Sequence, residues 1–144
     1  MIPPFDADGD LPQGVHWATW LEFTERFCIF ARSDRRRRLC QRMEQMVAEA
    51  RASHIVERII FGGSFVSSRT EPNDFDCVMV LKAATQYEDL QPSQRWVADT
   101  RAASRRYRGD VFVARADQST LAVYVDFFAM NRRGKRVGLV EVTL

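Results

Sequence analysis

Histidine, lysine, cysteine and long apolar runs are all scarce in this chain of 144 residues. The two histidines, His16 and His54, have no nucleophile or metal-ligand partner at catalytic spacing, which argues against histidine-based hydrolysis and reads both as structural or surface residues. Three cysteines, Cys28, Cys40 and Cys77, are odd in number, far apart and without zinc-ligand spacing. They are therefore expected to be reduced thiols, as in a cytosolic protein. No stretch approaches the length needed to span a bilayer, and the start, Met1-Ile2-Pro3-Pro4-Phe5-Asp6, lacks the basic and apolar regions of a signal peptide, so no membrane partner is expected. No Gly-Lys-[Ser/Thr] follows a glycine turn, which excludes a Walker loop. Ser64 lacks the second glycine of a nucleophile elbow and is not a hydrolase nucleophile.

Arginine, by contrast, is abundant. Of 21 cationic residues all but Lys82 and Lys135 are arginine, against 19 acidic ones, so the net charge is only +2. Arginine suits phosphate and carboxylate partners through its planar fork. Arg35 to Arg38 open an amphipathic helix running from Ser33 to Ala52, in which Leu39, Met43, Met46, Val47 and Ala50 share one side. Four cations there oppose the helix dipole. The run reads either as a solvated face or as a contact for an acidic partner such as RNA or a protein face.

The chemistry-bearing stretch lies further along. Ile55 to Phe61 is an apolar, β-branched run that stops at Gly62 and Gly63, the pattern of a buried strand ended by a tight turn. Ser64 is the expected N-cap of a short helix over residues 65–69. Gly62, Gly63 and Ser64 together make a candidate phosphate seat. Glu71-Pro72-Asn73 breaks that helix and Asp74 to Leu81 returns as a strand. Side chains alternate along a strand, so Asp74 and Asp76 share a face about 7 Å apart, close enough to bind one Mg²⁺ or flank a metal pair, while Phe75 and Cys77 enter the core.

These residues resemble the nucleotidyltransferases of the DNA polymerase β type, and among them the small, minimal nucleotidyltransferases of prokaryotes. The resemblance rests on Gly63-Ser64, a spacer of nine residues, and Asp74-Phe75-Asp76-Cys77. The flanks, Leu11 to Trp20 and Arg132 to Gly138, look similar to a largely uncharacterised subset. The resemblance implies a central sheet with packed helices, Mg²⁺ held by Asp74 and Asp76, and a third carboxylate on a neighbouring strand. Asp110, opening the strand Asp110 to Ala114 at a glycine turn, is the first candidate. Asp126 is its rival, although its segment, Ser119 to Met130, has a helical spacing of apolar residues. The implied activity is transfer of a nucleoside monophosphate from a nucleoside triphosphate to a protein or RNA acceptor, with pyrophosphate leaving. Asp110 would ligate a second metal or take the acceptor's proton. The alternative is a catalytically silent binding module acting through a partner protein, as in toxin and antitoxin pairs, or through nucleic acid. So short a chain also favours a partner or homo-oligomer that completes the acceptor site.

The rest can be placed coarsely. Thr19-x-x-Glu22 is a capping box opening a helix through Phe27. Pro92 begins a second amphipathic helix with Trp96, Thr100, Ala103 and Tyr107 aligned, and Val137 to Leu144 is an edge or closing strand. The expectation is a single α/β (α+β) domain over residues 13–144, with a mixed sheet and flanking helices, preceded by a loose segment over residues 1–12.

Overall fold

Five short strands, each with apolar residues on alternate positions, line up in the order β1-β5-β2-β3-β4: β1 Gly14–Ala18, β2 Val56–Gly62, β3 Asp76–Leu81, β4 Asp110–Arg115 and β5 Gly138–Thr143. This is a computed structural model, and it describes residues 1–144, the side chain of Ala31 excepted. β2 runs antiparallel to β3 and β5, while β1 with β5 and β3 with β4 are parallel pairs, so the sheet is mixed. With five α-helices, the chain forms one small α+β domain.

The strand alternation splits the apolar residues into two layers. Ile59, Phe61, Cys77, Met79, Val111, Val140 and Val142 face a large core completed by helices α1 (Trp20–Phe27), α2 (Asp34–Ser53), α3 (Arg95–Ala98) and α4 (Thr100–Tyr107). Ile60, Val78, Val80 and Leu139 face the other way, where α5 (Thr120–Phe128) covers them with Leu121, Tyr124, Val125 and Phe128. Asp76 and Asp110, at even positions, fall on the α5 face.

Local signals explain most boundaries. Thr19 and Glu22 cap α1 reciprocally, at 3.1 and 2.8 Å. Ser33 accepts from the Arg36 amide to start α2, which ends at His54 in a left-handed conformation. The expected helix from Pro92 is broken: Asp99 is extended and caps α4 through the Ala102 amide, so its carboxylate competes successfully for an amide that a continuous helix would occupy.

One strand is new and three further expectations are corrected. β1 was not anticipated, because only Ala18 of its five residues is buried and its strand character comes from pairing with β5 across the chain. Of the two readings of the last run, edge or closing strand, the edge is excluded: β5 lies between β1 and β2. The first twelve residues are not loose, since Leu11 is buried, Ile2 and Phe5 pack on the core, and the Gly9 carbonyl accepts from the Ser68 amide at 2.8 Å. Finally, Cys28 and Cys40 form a disulfide, with Cα atoms 5.8 Å apart, between the end of α1 and the second turn of α2. Only Cys77 is a free thiol among the described residues. The thiol argument for a cytosolic setting therefore falls away. Among the described residues no helix is long and apolar enough to cross a membrane.

The arginine run is not a single face either. Arg36 is fully buried and its guanidinium donates to the carbonyls of Phe27 at 3.0 Å, Phe65 at 2.8 Å and Ser67 at 2.9 Å, and through Nε to Arg69 at 3.0 Å. It sits between the rings of Phe30 and Phe65. Burial pulls its pKa down to about 10, so it stays charged at neutral pH. Its counter-charge is the set of carbonyl dipoles at the end of α1 and along the 64–69 loop. Arg35 pairs with Glu71 and Arg37 with Asp34.

Candidate functional site

The end of β2 and the starts of β3 and β4 meet at one edge of the α5 face. Asp76 and Asp110 are register partners on the parallel strands, and Asp74 precedes β3. Asp74, Asp76 and Asp110 each present a carboxylate oxygen within 4.8 Å of the others. Phe75 and Cys77, between and beside them, are fully buried, so the strand is anchored on one side and acidic on the other.

The turn after β2 is shaped around these acids. Gly63 has φ +72°, and a Cβ there would lie 1.9 Å from Asp76 Oδ2. Only glycine fits both the left-handed backbone and the close approach. The expected helix over residues 65–69 is instead a 3₁₀ turn over Gly63–Val66, and Ser64 lies inside it without capping it. Gly63 and Ser64 line a cleft of about 750 Å³ with the three aspartates. Gly62 does not line it. It is the last residue of β2, packed where a Cβ would lie 2.7 Å from Leu139 and 3.1 Å from Phe128.

Electrostatics separate this cluster from a second one. Asp6, Asp8 and Asp10 also converge, but Lys135 Nζ lies among them at 2.8, 2.9 and 3.1 Å, which lowers the Asp6 pKa chiefly through the Lys135 bond. No cation stands at hydrogen-bond distance inside the Asp74, Asp76 and Asp110 group among the described residues. Burial first, then Asp74 and Asp110, push the Asp76 carboxyl up to about 7. Asp74 is raised too, first by burial and then by Asp110, with Arg132 pulling the other way. Three oxygen donors, mutually repelling and partly desolvated, form a set that suits a hard divalent cation such as Mg²⁺.

Asp126 takes no part in this cluster. It lies on α5, exposed, paired with Arg136. Three arginines, Arg69, Arg132 and Arg133, line the cleft. In the sequence Arg132 and Arg133 stand only in a flank. Their signal was the Asn131 turn: its side-chain oxygen accepts from the amides of Arg133 and Lys135 at 2.9 and 3.0 Å, and this presents the arginines as a loop. Lys135, clamped by the three acids of the first segment, fastens that loop beside the cleft.

Residues 3–143 match the model of a family of unknown function, DUF6932. The chain belongs to that family. No curated protein and no solved structure matches it. The matched span of this DUF6932 member takes in all five strands, the acid-clamped loop and every residue lining the cleft, so the site is part of the family domain.

Proposed function

We propose that the cleft is a metal-dependent nucleotidyltransferase site, moving a nucleoside monophosphate from a nucleoside triphosphate to a hydroxyl of a protein or RNA acceptor. The observation that carries this reading is the convergence of Asp74, Asp76 and Asp110 with no protein cation among them, beside a glycine turn cut to fit Asp76. An acid cluster that pushes one member up to about 7 costs folding energy once that member ionises, and such clusters concentrate at functional sites. The resemblance of Gly63-Ser64 and Asp74-Phe75-Asp76 to the polymerase β type signature supports the same chemistry.

Each chain group has a role in this scheme. Asp74, Asp76 and Asp110 would hold Mg²⁺ through their facing oxygens. A divalent cation bound there supplies neutralisation of phosphate charge and a lowered pKa for the acceptor hydroxyl. Asp110, the most open of the three, accepts the proton from that hydroxyl at a carboxylate oxygen. The acceptor oxygen bonds to the α-phosphorus as the bond to pyrophosphate breaks. Arg69, Arg132 and Arg133 reach phosphate oxygens with paired N–H groups, and Gly63 and Ser64 leave room for the chain of phosphates.

The test is incubation of the protein with Mg²⁺, each α-labelled nucleoside triphosphate, total RNA and lysate protein, beside Asp74→Asn and Asp76→Asn. Label on an acceptor only with both aspartates intact is the expected result. No label, together with no nucleotide-induced rise in melting temperature, would overturn the reading.

A further inference from the structure

The cleft has an apolar wall that phosphate chemistry does not use. Phe112 follows Asp110 by two residues on β4, so it stands on the same face about 7 Å along the strand. Phe127 of α5 lies nearly parallel to it, with ring centroids 6.1 Å apart and planes at 16°. Phe127 is nonetheless 64% exposed. Phe128 also meets Phe127, in a T-shaped contact with centroids 5.4 Å apart, so two rings hold Phe127 in place while most of its surface stays open. Both rings line the cleft that holds the three aspartates.

Single exposed apolar residues are ordinary and need no explanation. Val123, one turn earlier on α5, is as exposed as Phe127 and does not line the cleft. What marks Phe127 is its place: two rings hold it, and an acid cluster and three arginines border the same space. The cleft's volume, about 750 Å³, lies within the range of sites for ligands much larger than a phosphate chain.

Resting on the nucleotidyltransferase reading, we infer that Phe127, backed by Phe112, is the seat of an aromatic base, so that the ligand is a nucleotide lying from Phe127 at its base to the aspartates at its phosphates. A flat π-face stacks on any base, and stacking of this kind is read out by alanine substitution as a loss of about tenfold in affinity. The chemistry selects a nucleotide over an inorganic polyphosphate, because only the nucleotide carries an aromatic group for Phe127 as well as phosphates for the acidic cluster.

Calorimetric titration separates the two readings. Wild type, Phe127→Ala, Phe127→Trp and Val123→Ala are each titrated with magnesium complexes of the four nucleoside triphosphates and of inorganic tripolyphosphate. The expected result is that wild type, Val123→Ala and Phe127→Trp bind at least one nucleotide about tenfold or more tighter than tripolyphosphate. Phe127→Ala should lose that preference while its tripolyphosphate affinity is unchanged. Equal affinity of wild type for both ligands, no effect of Phe127→Ala, or an equal loss in Val123→Ala would overturn the base seat and leave the phosphate site standing. Failure of wild type to bind either ligand would overturn the nucleotidyltransferase reading, and the seat with it.

Discussion

Gly63 and Asp76 are fitted to each other: the space a Cβ would need on Gly63 is filled by the Asp76 carboxylate, 1.9 Å away. Gly63→Ala must therefore both strain a left-handed backbone and displace an acid of the cluster. The expected cost is about 1–3 kcal/mol, with loss of any Mg²⁺-dependent rise in melting temperature. Thermal denaturation with and without MgCl₂ checks it. An alanine variant that keeps both its stability and its response to Mg²⁺ would refute the fit.

Asp76 makes the metal-free protein sensitive to alkali. In an unfolded chain an aspartate ionises near 3.9, whereas here burial, Asp74 and Asp110 hold it up to about 7. A carboxyl raised on folding contributes stability that is full below the unfolded value and disappears as pH rises through the folded one. The metal-free protein should lose about 2 kcal/mol between pH 5 and pH 8, allowing for solvent screening. Asp76→Asn should flatten that slope and be the more stable of the two at pH 8. Glu49 does not confuse the test. Its pKa is lowered to about 2, chiefly by the Arg106 hydrogen bond, so its contribution is constant above about pH 5. Urea melts across this range without added metal decide it, and an unchanged slope in Asp76→Asn would count against the cluster.

Within the arginine run, position decides the effect. Arg36→Met leaves the carbonyls of Phe27, Phe65, Ser67 and Arg69 without this donor, and at about 1–3 kcal/mol for each buried acceptor left unpaired the loss should reach about 4 kcal/mol or more. Arg38→Met, at an exposed position, should stay within about 0.5 kcal/mol. Denaturant midpoints of the two variants compare them directly. Similar midpoints would mean that Arg36 is not the anchor of the 64–69 loop.

The disulfide gives a count that chemistry can read. Thiol titration under denaturing conditions should find one free thiol before reduction and three after it. Reduction should lower stability by about 3 kcal/mol, the closure entropy of a short loop. Three free thiols in the oxidised preparation would remove the crosslink.

What could be read from the sequence was short in range. Alternation over Asp74 to Leu81 placed Asp76 opposite Phe75 and Cys77, and helical spacing kept Asp126 apart from the strand that carries Asp110. Both are matters of a few residues. What could not be read depends on distant partners. Helical spacing puts Arg36 on the side of Leu39 and Met43, but the carbonyls that hold its charge there come only when Phe65 to Arg69 fold beneath it. Cys28 and Cys40 stand twelve positions apart with no spacing signature, and their meeting depends on the angle between α1 and α2. Asp6, Asp8 and Asp10 read as a solvated, loose start because Lys135, which holds them, is more than 120 residues away.

β5 enters the middle of the sheet although it is made last of the five strands. β2, β3 and β4, which carry Asp76 and Asp110, can pair before it exists, whereas β1 pairs with β5 alone. At a synthesis rate of about 5–20 residues per second, β1 waits roughly 6 to 25 seconds for its neighbour. During that interval β1 is an unmated strand bearing Val15 and Trp17, the state in which chaperones would meet it.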